Sequence, residues 1–143
     1  MEVHLTRRVQ FHETDAAGIV HFSWFFRYME EAEYALWRAA GLSNAPVNGI
    51  GWPRVAAAFE YHSPLRFEDE FEVTLSIEAI TKRTIRYSCA IRRGQAAIAT
   101  GSLKVVCVRK REGLPFQRME IPAAISERFT PATTRSGLPR DEV

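Results

Sequence analysis

The feature that most restricts this fold is a change of hydrophobic period part-way along the chain. In "SWFFRYMEEAEYALWRAAGL", Ser23 to Leu42, apolar residues recur at helical spacing, with Ser23 placed as an N-cap and Gly41 as the residue after the helix. Beyond Pro53 the period falls to two. In "FEVTLSIEAI" the residues Phe71, Val73, Leu75, Ile77 and Ala79 alternate with Glu72, Thr74, Ser76 and Glu78, the pattern of a strand with one wet face. Ile85, Tyr87, Cys89 and Ile91 repeat it. The turn sequences "ITKRT" and "RRGQ" are short enough for antiparallel hairpins. "AAIATGSLKVVCVRKR" ends apolar on both faces, which predicts a strand lying centrally in the sheet for at least half its length. With "RVAAAFEYHS" before them and "VHLTRRVQF" as a first strand, the expectation is one long helix followed by a meander of about four strands.

Placed at about 100° per residue, Arg27, Glu30, Glu31, Tyr34 and Arg38 share a polar arc of the helix. Trp24, Phe25, Phe26, Met29, Ala32, Leu36, Trp37 and Ala40 fill the rest. That apolar arc is wider than one flat sheet needs, so the sheet should curl around the helix, or a second protomer should touch it. Glu33 falls inside the apolar arc, which calls for an ion-paired or partly exposed carboxylate, or one near a site.

Composition matters here for what it excludes. A chain of 143 residues with 46% hydrophobic residues can bury one real core and is read as a single domain, 1–129, with a polar flexible tail, 130–143. A net charge of +2, without a basic stripe interleaved with aromatics, argues against nucleic acid. No segment has the length and apolarity of a membrane span, and the N-terminus lacks an apolar leader core, so a cytoplasmic protein is expected. Cys89 and Cys107 lack metal or redox spacing and read as small buried hydrophobes within strands.

The chemistry concentrates in "FHETDAAGIVHFSWFF", Phe11 to Phe26. An acid, Asp15, two small residues, Ala16 and Ala17, the glycine Gly18 and the histidine His21 stand just ahead of the helix. A lone Asp in such a loop is ordinarily a cap or turn residue. Yet a carboxylate beside a helix N-terminus, where unsatisfied N–H groups and the positive end of the dipole gather, can also serve at a carbonyl centre. His12, Asp15 and His21 do not have the spacing of a known metal site, and no metal or other cofactor is expected.

"ETDAAGIVHFSWFFRYMEEA" followed by "SPLRFEDEFEV" resembles the hotdog-fold acyl-CoA thioesterases of the 4-hydroxybenzoyl-CoA thioesterase type, which include the Tol-Pal-associated thioesterases. The resemblance covers about residues 7–129. It implies an α+β hotdog fold, an antiparallel sheet of five or six strands wrapped around one long helix, with active sites between the protomers of a homodimer or homotetramer. It implies an acyl-CoA substrate. Asp15 then matches the catalytic carboxylate, as nucleophile or general base. Gly18 matches the turn glycine, and Phe22 the position whose N–H points at the thioester oxygen. His21 stands where the family usually has an aromatic ring, which implies a pocket wall or an auxiliary catalytic role. Ser63, Pro64 and Leu65 fall on the loop that lies along pantetheine. Glu68 stands where the family often has Gly. The clusters "TKRT" and "VRKRE" put forward Lys82, Arg83, Arg109, Lys110 and Arg111 for the CoA phosphates, though each also suits a solvated strand end. Two other readings stay open: a hotdog hydratase or dehydratase, lacking here its His-Phe-Pro-Gly motif, and a thioester-binding domain without catalysis.

Overall fold

A computed structural model describes residues 1–43, 45 and 49–129. The expected tail, 130–143, lies outside the described residues. Five antiparallel strands form the main sheet: β1 (Glu2–Arg8), β3 (Arg54–Tyr61), β4 (Glu70–Ile80), β5 (Thr84–Arg93) and β6 (Ala96–Val106). A minor sheet joins β2 (Ile50–Gly51), β7 (Val108–Arg109) and β8 (Gln117–Arg118), and a short helix, α2 (Ala123–Ser126), follows.

The long helix α1 (Trp24–Ala39) packs on the main sheet through Phe25, Tyr28, Met29, Ala32, Glu33, Leu36 and Trp37, all buried. Across the expected apolar arc, Ala40 is buried too, and Trp24 and Phe26 are half-buried at its margins. Facing it are the inward residues of β4 and β5, Phe71, Val73, Leu75, Ile77, Ile85, Tyr87 and Ile91. Each such large apolar side chain contributes about 1.5–3 kcal/mol by leaving water. Gly41 ends the helix at φ +75°, with the Leu42 N–H on the Trp37 carbonyl (2.9 Å) and the Gly41 N–H on the Arg38 carbonyl (2.9 Å). That double bond satisfies carbonyls the helix leaves open and requires the left-handed angle glycine adopts cheaply.

The sheet order, β1-β4-β5-β6-β3, corrects the expected meander. β4, β5 and β6 do follow one another as hairpins, but β3 joins the far side, pairing with β6 from Arg54↔Val105 to Tyr61↔Ala99. β1 takes the place beside β4, from Glu2↔Ser76 to Arg8↔Glu70. β6 is interior, as its apolar end predicted, while β3 is left on an edge with Val55, Ala56, Ala57 and Ala58 exposed. Two boundaries also differ. β1 stops at Arg8, and Phe11–Glu13 form a turn of 3-10 helix. The run through "VVCVRK" breaks at Cys107, between β6 and β7, although both cysteines are free and buried as expected. Burial pushes the Cys89 thiol up to about 12.

Glu33 has no exposed surface and is ion-paired, not partly exposed. Arg54 of β3 donates to both of its oxygens and also reaches Glu30 at 3.4 Å. The Tyr87 hydroxyl donates to Glu33 and accepts from Trp37 Nε1 at 2.9 Å. Burial pushes the Glu33 carboxyl above its ordinary range, with Arg54 pulling the other way.

Candidate active site

The segment between the 3-10 turn and α1 folds as a miniature hairpin. Thr14 bridges Val20, the Asp15 N–H bonds the Ile19 carbonyl at 2.8 Å, and the Gly18 N–H closes the tip on the Asp15 carbonyl at 2.9 Å. The hairpin is docked on the loop before β4 by the Val20 N–H on the Leu65 carbonyl, 2.8 Å, and by an Ile19–Arg66 bridge. Gly18 has φ +80°, but a Cβ there would meet no protein atom within 4 Å. The glycine is required by backbone angle, not by crowding from the protein.

Asp15 plays the turn role expected of a loop aspartate, and it leaves one oxygen over. Oδ1 accepts from the Ala17 N–H at 2.8 Å and the Ile19 N–H at 3.4 Å. Among the described residues Oδ2 has no donor. The carboxylate is thus fixed in orientation by one oxygen, which leaves the other open.

Ser23 occupies the N-cap position, but its hydroxyl does not cap α1. It lies 2.7 Å from His21 Nδ1, which also accepts the Ser23 N–H at 3.2 Å. The His21 ring stacks on Phe22, with centroids 4.6 Å apart. Among the described residues the Phe22 N–H has no acceptor, while its carbonyl accepts from the Tyr61 hydroxyl at 3.0 Å.

A cavity of about 400 Å³ opens between these parts. It brings together Asp15, Phe22, Ser63, Pro64 and Leu65. Ile19, Val20, Phe25, Tyr61 and His62 complete its walls. Tyr61 and His62 were not picked out from the sequence as site residues. Tyr61 closes the β3 run, but which sheet end it reaches depends on the β3–β6 register. His21 is not among the cavity-lining residues. Lys82 and Arg83 sit on the β4–β5 turn, at the opposite end of β5 from the cavity, about 30 Å away at strand rise. Arg109, Lys110 and Arg111 lie at that same far end, in and after β7. The expected Glu68 departure keeps the glycine-type backbone: its φ is +74°, at a cost of roughly 1–2 kcal/mol. The turn is held by the Glu68 N–H on the Val9 carbonyl (3.1 Å) and by the Arg66 N–H on Asp69 Oδ2 (2.8 Å). Among the described residues no group of three or more His, Cys, Asp or Glu is placed to hold a metal ion. No helix among them is long and apolar enough to cross a membrane.

The family description "Thioesterase-like superfamily" matches residues 9–129. The chain belongs to that superfamily. Thioester hydrolysis is accordingly its class of reaction. A protein of Aquifex aeolicus, provisionally named an esterase, is 37% identical over 119 residues, spanning 80% of this chain and 93% of its own. A 1,4-dihydroxy-2-naphthoyl-CoA thioesterase from Synechocystis superposes with a TM-score of 0.81 at 21% identity, covering 90% of this chain and 95% of its own. A 4-hydroxybenzoyl-CoA thioesterase in complex with 4-hydroxybenzoyl-CoA gives 0.79 at 18% identity over 90% of this chain and 99% of its own. At these identities the two structures establish the hotdog fold, with one main helix on a five-stranded antiparallel sheet.

Proposed function

We propose that residues 1–129 form a single acyl-CoA thioesterase domain that hydrolyses a CoA thioester to a carboxylic acid and free coenzyme A. Asp15 is the nucleophile or general base, and the Phe22 N–H at the head of α1 polarises the carbonyl. The observation that carries this reading is the shared cavity: Asp15, with a carboxylate oxygen that has no donor among the described residues, and Phe22, with a main-chain N–H that has no acceptor among them, line one mostly apolar space. In the nucleophilic route Oδ2 adds to the thioester carbon, the C–S bond breaks, and the thiolate leaves. Water then opens the resulting mixed anhydride and restores the carboxylate. In the general-base route Asp15 takes a proton from water as the oxygen adds, and that proton passes to the departing thiolate. In both, negative charge on the former carbonyl oxygen is stabilised by the Phe22 N–H and the positive end of α1. Gly18 supplies the turn, His21 steadies the Phe22–Ser23 segment, and Ser63, Pro64 and Leu65 flank the pantetheine arm. The cavity volume suits an aryl or medium-chain acyl group.

The exposed β3 edge, with small side chains from Val55 to Ala58 and an unpaired backbone ladder, supports a homodimer or homotetramer joined at sheet edges. Lys82 and Arg83 hold CoA phosphates only where such a second protomer brings them to the cavity. The two unpaired thiols, Cys89 and Cys107, fit a reducing cytoplasmic setting. One observation favours a hydratase reading: His62 lines the same cavity as Asp15. Its Nε2, however, is engaged with Thr100 Oγ1 at 3.0 Å.

The test is release of free thiol from short-chain, medium-chain, long-chain and aromatic CoA esters, with Asp15→Asn alongside. The variant is expected to keep KM and lose on the order of 10²-fold in kcat. Near-normal turnover by Asp15→Asn removes Asp15 from the mechanism, and hydration of an enoyl-CoA without thiol release would favour the hydratase.

A further inference from the structure

The loop carrying Asp15 is anchored by a carboxylate that the proposed mechanism does not use. Glu13, two residues upstream, has no exposed surface. Burying a charge this completely costs several kcal/mol unless donors surround it, and here they come from three separate parts of the fold. Arg7 Nη1 of β1 donates to Oε2 at 2.7 Å. The Tyr28 hydroxyl of α1 donates to Oε1 at 2.9 Å, and the Gln10 N–H donates to the same oxygen at 2.9 Å. Arg7 is itself held in place, with Nε and Nη2 on Glu31 at 2.7 and 3.2 Å and its guanidinium 4.7 Å over the Tyr28 ring. The main chain of the same residue closes the base of the hairpin, where the Glu13 carbonyl accepts the His21 N–H at 2.8 Å.

We propose that Glu13 is a positioning residue: it ties the base of the Asp15 hairpin to β1 and to α1, and so sets the separation between the Asp15 carboxylate and the Phe22 N–H. Directional bonds from strand, turn and helix over-determine the place of Glu13, which an apolar residue of equal size would not do. Because its carbonyl holds His21, a shift at Glu13 reaches both ends of the hairpin: Asp15 two residues on, and Phe22 next to His21. Errors of about 1 Å between reacting groups lower turnover by up to about 10²-fold without weakening binding. The inference rests on the reading of Asp15 as the reactive carboxylate.

The experiment uses the full chain with Glu13→Gln and Tyr28→Phe, measuring hydrolysis of a CoA ester that the unaltered enzyme turns over, and amide hydrogen exchange by peptide. Glu13→Gln is expected to lower kcat about 10–100-fold with KM within about twofold, and to speed exchange in residues 14–22 while peptides of β4, β5 and β6 stay protected. Tyr28→Phe, which removes one donor and buries no unpaired charge, should show the same pattern more weakly. Should Glu13→Gln not fold, Tyr28→Phe decides alone. Unchanged exchange in 14–22, or a fall in turnover that merely follows the fraction folded, overturns the proposal. If the unaltered protein hydrolyses no CoA ester, the acyl-CoA reading fails. The exchange measurement then decides separately whether Glu13 positions the hairpin.

Discussion

Two carboxylates in this molecule are equally buried and similarly paired, yet they stand in different places. Glu13 and Glu33 both have no exposed surface, and both meet one arginine and one tyrosine. Glu33 joins the middle of α1 to β3 through Arg54 and to β5 through Tyr87, so its bonds hold the helix on the sheet. Glu13 joins the helix and β1 to a short hairpin that otherwise rests on the loop before β4 through Val20 and Ile19. The same chemistry therefore secures the fold in one place and aims a loop in the other. What separates the roles is how well the attached backbone is fixed by its other contacts.

The largest effect that would sharpen this comparison is expected at the hairpin tip. Gly18→Val forces a β-branched residue into φ +80° and should lower turnover by about 100-fold or more, at a stability cost of only about 1–2 kcal/mol. Steady-state kinetics beside urea denaturation checks it, and normal turnover would show that the hairpin has no part in the chemistry. Next comes Glu33→Ala, which removes the closest partner of Arg54 and leaves it the Trp52 carbonyl and Glu30. A loss of about 3–5 kcal/mol in unfolding free energy is expected, with kcat of the folded fraction near normal. A specific loss of kcat at unchanged stability would erase the distinction between the two carboxylates.

A pH series separates them further. Because the folded state raises the Glu33 carboxyl above its unfolded value, its contribution is fully present below the ordinary carboxylate range and is lost as pH rises through the elevated one. The difference in melting temperature between the unaltered chain and Glu33→Gln should therefore shift against the unaltered chain as pH climbs through that window. A difference independent of pH would refute the elevated value. The smallest effect is expected at the far end of the sheet: Lys82→Ala with Arg83→Ala should raise KM several-fold at low salt, less at high salt, and leave kcat unchanged. A kcat effect there would mean that this turn meets the reacting end of the substrate.

Much of this protein was legible in its residues because hydrophobic period is a local property. Which face of a segment is apolar follows from residues two, three or four apart, so the helix, the β4–β5–β6 hairpins and the Gly41 stop could all be read along the chain. The motif around Asp15 and Gly18 was equally legible, since a short hairpin before a helix is built from its own backbone bonds. The place of β3 was not: pairing with β6 rather than β4 depends on contacts between residues about forty to fifty positions apart. Nor was the burial of Glu13 and Glu33, because a buried glutamate and a surface one look alike until their donors are known. Arg7 is 6 residues from Glu13, and Arg54 is 21 from Glu33. The sequence alone determined which segments are helix and strand and where a carboxylate precedes a helix. Only the tertiary structure decided which strands are neighbours, which charges leave water, and that Asp15, Phe22 and Ser63–Leu65 face one cavity while Lys82 and Arg83 lie at the other end. Those outcomes are set by packing and desolvation between residues distant in the chain.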